Sequence, residues 1–191
     1  MYSNVNYAPL AECGKPVIYL YPKTTTQVSV QVGADITKSE PEYSGSWNAL
    51  ATPSGMLTVA GKQYDSLFWE GIGWGKYPEI SSGTVVETKD VASKIKSDLS
   101  QVGLNTKEIT DFSDFWLPKM PTSKYTRLSW FFTDQMNQLA PLKVSPKPDT
   151  SIRVFLDFAG LESQESIAPQ TLPHYDRNGF TLVEWGGLLR K

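Results

Sequence analysis

The chain has 191 residues, 20% of them charged, and a formal net charge of −2 at pH 7. A chain of this length can bury about 70% of the surface that it exposes when unfolded, so it needs no disulfide or structural metal. The two signs of charge are interspersed, which excludes a basic surface for nucleic acid, and no run approaches the ~18 apolar residues of a membrane span. We therefore expect a single domain with no nucleic acid partner and no membrane span.

The first part of the chain predicts an arm followed by strands. Residues 1–14 lack periodicity and are predicted to form a flexible arm, and residues 15–191 to form one globular domain. Residues 17–21, between Pro16 and Pro22, are continuously apolar, which predicts a strand buried on both faces. Residues 27–32 alternate valine with polar side chains, which is typical of a half-buried strand. We expect these two strands to form a hairpin.

Three more strands are predicted at residues 46–52, 56–60 and 64–70, separated by short turns that contain glycine. Turns spaced this closely favour antiparallel pairing. A loop rich in glycine and aromatic residues is predicted at residues 71–77, where it would expose Trp74.

The middle of the chain changes to helical periodicity. A helix is predicted to open at Thr88 or Asp90 and to close at Gly103, with Val91, Ile95, Leu99 and Val102 on one face. Asn105 and Glu108 have the spacing of a capping box at the start of a second helix. This helix would turn Ile109, Phe112, Phe115 and Trp116 inward and end before Pro118.

Strands are predicted again at residues 125–133, 151–158 and 179–185. Runs of strands on both sides of one helical pair indicate an α+β fold. The sequence therefore predicts an antiparallel, β-rich domain, either a sandwich or a strongly twisted sheet, with one inserted helical hairpin.

Four segments together resemble a known family. They are Lys15-Pro16-Val17-Ile18-Tyr19-Leu20-Tyr21-Pro22, Leu67-Phe68-Trp69-Glu70, the stretch from Gly103-Leu104-Asn105 to Trp116 and Pro118, and Gly179-Phe180-Thr181-Leu182-Val183-Glu184-Trp185-Gly186-Gly187. This pattern is similar to that of an uncharacterised protein family of bacteria and fungi. The resemblance covers nearly the whole chain, so it implies that the chain folds as one unit. It implies nothing about chemistry.

The scarcity of histidine and cysteine excludes several kinds of site. Cys13 and His174 are the only residues of their types, so an internal disulfide, a cysteine zinc cluster and sites with two or three histidines are excluded within one chain. No G-x-S-x-G motif presents a serine to His174. Gly71, Gly73 and Gly75 lack the spacing of a phosphate-binding loop. We predict no metal and no cofactor, and interpret Cys13 as an incidental thiol and His174 as a surface imidazole.

Two glutamates continue apolar strand faces. Alternation puts Glu70 on the face of Phe68, and Glu184 on the face of Phe180 and Leu182. A carboxyl group among apolar side chains favours its protonated form, which is how proteins make a general acid. If both faced one cleft, Glu70 and Glu184 could hydrolyse a glycosidic bond, with Asp157 as the reserve acid.

Aromatic residues make up 12% of the chain, which suits either an aromatic β-protein core or a surface that stacks on a sugar ring. Trp69, Trp74 and Trp185 are the candidate stacking residues, and Arg177 is a candidate polar contact for the ligand. The leading hypothesis is therefore a carbohydrate-directed domain, possibly a small glycoside hydrolase. Its partner would be a polysaccharide or another small polar ligand.

Two other functions stay open. A non-catalytic binding or adhesion domain at the cell surface would use the same aromatic residues without paired carboxylates. In a purely structural domain, each glutamate would reach solvent or pair with Arg127, Arg153 or Arg177. Arg153 and Asp157 are themselves expected to find partners on neighbouring strands. Glu108, Asp111 and Asp114 are expected to solvate one face of the second helix.

Overall fold

The computed structural model describes residues 12–190, which form thirteen strands, three α-helices and two short 3-10 helices. The strands are β1 (Glu12–Tyr21), β2 (Thr26–Val32), β3 (Ala34–Glu40), β4 (Trp47–Ala51), β5 (Leu57–Val59), β6 (Lys62–Tyr64), β7 (Leu67–Gly73), β8 (Ser82–Glu87), β9 (Tyr125–Phe131), β10 (Leu142–Ser145), β11 (Thr150–Leu161), β12 (Ala168–Pro169) and β13 (Thr181–Arg190). The helices are α1 (Val91–Val102), α2 (Thr106–Trp116) and α3 (Thr133–Leu139), and the 3-10 helices are Thr88–Asp90 and Leu117–Lys119.

Eight strands form a large sheet in the order β12-β8-β9-β11-β13-β1-β7-β3. Most neighbours are antiparallel, but β12 is parallel to β8, and β11 is parallel to β13, with Arg153 opposite Glu184. The run of residues 17–21 lies in β1, which pairs with β13 on one side and β7 on the other. Val17, Ile18, Tyr19 and Leu20 are all buried, which confirms the prediction of a strand covered on both faces.

A smaller five-stranded sheet, in the order β10-β2-β4-β5-β6, covers one face of the large sheet. Ile18 and Leu20 of the large sheet share a core with Val28, Val30 and Trp47 of the small one. The two sheets therefore form a sandwich, and this confirms the predicted α+β, β-rich architecture.

The helices α1 and α2 cover the opposite face of the large sheet. Ile95 and Leu99 of α1 and Phe112 of α2 pack against Trp130 of β9 and Trp185 of β13. Gly103 ends α1 with a φ of 113°, a left-handed conformation that glycine adopts without strain. The predicted helical hairpin is thus confirmed. None of the described helices is long and apolar enough to span a lipid bilayer.

The structure corrects four local predictions. β1 and β2 do not form a hairpin, because β1 pairs within the large sheet and β2 pairs with β4 and β10. The strand predicted at residues 64–70 is divided between β6 and β7, and β7 continues through Gly73 into the predicted loop. The strand predicted at residues 125–133 ends at Phe131, and the unpredicted helix α3 follows.

The predicted boundary at residue 15 also differs from the start of β1. This strand begins at Glu12, so residues 12–14 of the predicted arm belong to the large sheet. Residues 1–11 lie outside the described residues, and their assignment to an arm stays a prediction.

Candidate functional site

Glu184 lies in a buried ion pair between the two sheets. Its Oε2 accepts a hydrogen bond of 2.6 Å from Nε of Arg153, and its Oε1 accepts one of 3.1 Å from Nε1 of Trp69. Arg153 also donates to Oδ1 of Asn137 and to the carbonyl oxygen of Ala140. Both charged side chains are 1% exposed. Glu184 is thus a buried carboxylate whose two oxygens both have structural partners.

Asp157 likewise has several hydrogen-bond partners in the core. Its carboxylate accepts hydrogen bonds from Nη2 of Arg127 at 2.6 Å, Nε of Arg190 at 2.7 Å and the hydroxyl of Tyr77 at 2.7 Å. Burial, and then the charge of Asp157, raise the pKa of Tyr77. The prediction of partners on neighbouring strands is confirmed for both Arg153 and Asp157, and Asp157 does not fit the role of reserve acid.

Glu70 lies on the opposite face of the large sheet from Glu184. Ile18 of β1 pairs with Glu184 on one side and Leu67 on the other, and Val17 pairs with Trp185 and Phe68. Residues paired across strands point to the same face, so Glu184 faces the small sheet. Glu70, two residues beyond Phe68, faces the helices. The two glutamates do not meet in one cleft, and the predicted Glu70/Glu184 catalytic pair does not fit this geometry.

The half-buried Glu70 instead lines an open groove of about 570 Å³ between α2 and the strands β1, β7 and β3. Its walls are mainly polar and aromatic: Lys15, Lys38, Glu40, Asp65, Ser66, Phe68, Glu70, Asp111, Asp114 and Phe115, with Val17, Tyr19 and Trp185. The groove forms because the large sheet extends beyond α2, which leaves part of the face of its last two strands uncovered. Since five separate segments of the chain contribute to the groove, their convergence is a property of the fold.

The same face of β7 continues past the groove to an exposed tryptophan. Phe68, Glu70 and Ile72 alternate on this face, and Trp74 follows directly after the strand. Trp74 is 68% exposed, and its Nε1 donates a hydrogen bond of 3.0 Å to Oδ1 of Asp35 on β3. The prediction that Trp74 is exposed is therefore confirmed, and this hydrogen bond orients its ring.

Lysine side chains surround the two phenylalanine rings of the groove. Nζ of Lys15 lies 4.0 Å from the ring centre of Phe115 and 5.3 Å from that of Phe68, and Lys38 lies 5.7 Å from Phe68. Burial, and then the charge of Lys119, lower the pKa of Lys15. Lys15 also has a positive φ of 43° at an irregularity in β1, and such strain often occurs at functional sites.

A chain of hydrogen bonds links the floor of the groove to its rim. Nε1 of Trp185 donates to the hydroxyl of Tyr19 at 3.1 Å, and that hydroxyl donates to Oδ2 of Asp111 at 2.8 Å. Lys107 bridges Asp111 and Asp65 at 2.6 and 3.0 Å. Burial, and then Asp111, raise the pKa of Tyr19. The network holds Asp65 and Asp111 in place at the rim.

Several residues that the sequence predicts as site residues are instead part of the core or of structural ion pairs. Trp69 and Trp185 are buried, so neither ring is open to stack on a ligand, although Trp185 lies beneath the groove. Arg177 donates two hydrogen bonds to Glu108 and packs on the ring of Tyr21, so it is not a free ligand contact. Glu108 is consequently buried, which corrects the prediction that it solvates α2. His174 is largely exposed, as predicted.

Sequence reasoning missed most of the groove. Four residues that no sequence motif marks as site residues line it: Lys15, Lys38, Glu40 and Phe115. The alternation of side chains along a strand could have pointed to two of them. Lys38 and Glu40 share one face of β3, a strand that the sequence pattern does not predict. Within residues 12–190 no group of three or more histidine, cysteine, aspartate or glutamate side chains is placed to hold a metal ion.

Comparisons with known proteins give one partial relative. Over 62 residues the chain is 42% identical to a protein described as "Uncharacterized protein in bglA 3'region" from Butyrivibrio fibrisolvens. The aligned region covers 30% of this chain and 65% of that protein, so the chain spans less than two thirds of its relative. No family model and no solved structure matches the chain. Its membership of the bacterial and fungal family that it resembles stays a prediction.

Proposed function

We propose that this is a carbohydrate-directed domain. It binds a polysaccharide, or another small polar ligand, in the groove between α2 and the strands β1, β7 and β3. The observation that carries the proposal is the strip along β7, where Phe68, Glu70, Ile72 and Trp74 share a face that runs out of the groove to solvent. At about 3.3 Å per residue, this strip is roughly 20 Å long. A linear ligand could follow it.

The chemistry of the groove suits a polyhydroxylated ligand better than an apolar one. Pockets for apolar small molecules are mostly hydrophobic, with few polar groups. Here five carboxylate residues and two lysines accompany two phenylalanines. Carboxylates accept hydrogen bonds from hydroxyl groups, ammonium groups donate to them, and aromatic rings pack on the apolar face of a sugar ring.

A catalytic form of the same proposal would use Glu70 with Glu40. Lys38 lies directly opposite Glu70 across β3 and β7, and Glu40 lies opposite Phe68, so the two glutamates are diagonal neighbours. The backbones of diagonal neighbours are typically about 7–8 Å apart, so flexible glutamate side chains there can bring their carboxyl groups to the roughly 6.5–9.5 Å that inverting glycosidases use. Both glutamates line the groove.

Binding is tested with a panel of soluble polysaccharides in affinity electrophoresis, followed by calorimetry on any that retard the protein. Trp74→Ala and Phe68→Ala should each weaken binding about tenfold, equivalent to about 1.4 kcal/mol, because each removes a ring from the strip. Leu50→Ala is the control, since Leu50 is also exposed, at 42%, but lies on β4 of the small sheet. If both ring variants bind as tightly as the wild type, the proposed surface is wrong.

Turnover separates the binding and hydrolase forms of the proposal. Release of reducing ends from a bound polysaccharide is measured for the wild type, Glu70→Gln and Glu40→Gln, with the exposed Glu79→Gln as control. A loss of turnover of 100-fold or more in the two groove variants alone would support a hydrolase. Binding without turnover in the wild type would support a binding domain.

A further inference from the structure

A second pocket lies at the end of the sandwich, between α3, β10 and the first residues of β11 and β13. It has a volume of about 430 Å³. Its polar lining comprises Asn137, Lys143, Lys147, Ser151 and Arg153, and the rest is proline and aliphatic side chains. Arg153 projects from the face of the large sheet that Glu184 occupies, so this pocket is separate from the groove beside α2.

The charged residues that line this pocket are all cationic. Lys143 and Lys147 are exposed, Arg153 is buried, and no aspartate or glutamate is among the lining residues. The charge of Arg153 is balanced by Glu184, so the two lysines leave a local excess of two positive charges. Among the described residues, neither lysine forms an ion pair within 4.0 Å.

Arg153 retains hydrogen-bond donors beyond its structural partners. A guanidinium has five N–H groups. One from each nitrogen is used: Nε donates to Glu184 at 2.6 Å, Nη1 to Asn137 at 2.8 Å and Nη2 to Ala140 at 2.7 Å. Among residues 12–190, the two other N–H groups have no acceptor, and the side chain that carries them is 1% exposed and held by these three bonds. A planar, immobilised guanidinium suits the recognition of an oxyanion.

We propose that this pocket binds an oxyanion, a phosphate or sulfate group, with Arg153 at its base and Lys143 and Lys147 at its mouth. The group is either a free ion or part of an ester. Ser151 provides a further hydroxyl donor at the pocket wall. The site stands independently of the carbohydrate groove, because it uses different residues on a different face of the sheet.

Thermal unfolding in phosphate and in chloride at matched ionic strength tests the site. Phosphate should raise the melting temperature of the wild type with the logarithm of its concentration above the dissociation constant. Calorimetry should give a saturable binding isotherm with the same dissociation constant. In the double variant Lys143→Gln/Lys147→Gln, the affinity should fall at least tenfold. Both lysines are exposed, so this variant is expected to fold.

Phosphate also stabilises proteins without binding them, by exclusion from their surface, and this effect should be equal in all variants. Lys62→Gln removes an exposed lysine on β6 and should retain the full response. Sulfate and glucose 6-phosphate are tested in parallel: tighter binding of the ester would identify an esterified ligand, and equal binding a free ion. If calorimetry shows no saturable binding of phosphate, or if the double variant responds to phosphate as the wild type does, the proposal is wrong.

Discussion

At the scale of single residues, Glu70 and Glu184 have almost identical sequence surroundings and opposite environments. Each follows a phenylalanine on its strand face and neighbours a tryptophan. Glu184 is enclosed by Arg153 and Trp69, whereas Glu70 opens into the groove. Burial of an ion pair makes removal of one partner costly, because the other charge is left without compensation.

The change Glu184→Gln should therefore lower the free energy of unfolding by about 3–5 kcal/mol, because it leaves the buried guanidinium of Arg153 without a compensating charge. Urea unfolding followed by tryptophan fluorescence measures this loss. Glu70→Gln is the matched control and should change stability by no more than about 0.5 kcal/mol, because Glu70 is half-buried and faces solvent in the groove. Equal losses in the two variants would contradict the environments described for them.

At the scale of elements, α2 begins with interactions that are partly local and partly distant. Oδ1 of Asn105 accepts from the backbone N–H of Glu108 at 3.0 Å, and Oε2 of Glu108 accepts from the backbone N–H of Asn105 at 2.8 Å. This is the capping box that the spacing of the two residues predicts. Arg177, which is distant in the sequence, donates two more hydrogen bonds to Glu108.

Removal of this cap should cost stability without changing the fold. Asn105→Ala should lower the free energy of unfolding by about 1 kcal/mol, because the N–H of Glu108 loses its acceptor. Chemical unfolding measures the loss, and circular dichroism at 222 nm checks that the native helix content is retained. Ser100→Ala, an exposed position inside α1, should be neutral or slightly stabilising. If Asn105→Ala lowers the free energy of unfolding no more than Ser100→Ala does, Asn105 does not stabilise α2 as a cap.

At the scale of the whole molecule, buried tyrosines join distant elements through carboxylates. Tyr19 of β1 donates to Asp111 of α2, and Tyr77, after β7, donates to Asp157 of β11. Burial is the main cause that raises the pKa of each hydroxyl, and the neighbouring carboxylate adds to it. Both tyrosines therefore stay protonated in the folded state at a pH where they ionise in the unfolded chain.

This difference makes stability fall in alkaline solution. The unfolded pKa of tyrosine is about 10, so above that pH the unfolded state binds fewer protons than the folded state. The stability that the neutral hydroxyls contribute is complete below pH 10. Above it, each such tyrosine lowers the free energy of unfolding by about 1.4 kcal/mol per pH unit. Urea unfolding between pH 8 and 11.5 measures the slope.

Tyr77→Phe isolates one of these contributions. Its alkaline slope should be shallower than that of the wild type by about 1.4 kcal/mol per pH unit, because one fewer buried hydroxyl is protected from ionisation. Absorbance at 295 nm should also show that Tyr19 and Tyr77 ionise only as the protein unfolds. Parallel slopes for the two proteins would contradict the assignment of Tyr77.

The sequence by itself determined the local features. The period of Val91, Ile95, Leu99 and Val102, with Gly103 behind them, defined α1, and the capping box defined the start of α2. The continuous apolar run at residues 17–21 correctly predicted a strand buried on both faces. These features can be read from sequence because helix periodicity, capping and strand alternation depend on residues within a few positions of one another.

Only the tertiary structure decided which strands pair and what each carboxylate meets. β1 pairs with β13 and β7 rather than with β2, and the partner of Glu184 is Arg153 on a parallel strand. Two strands can show the same alternation and still place their carboxylates on opposite faces of a sheet. Pairing and facing depend on contacts between segments far apart in the chain, whose relative positions local periodicity does not contain. For that reason, Glu70 lies in the groove and Glu184 in the core.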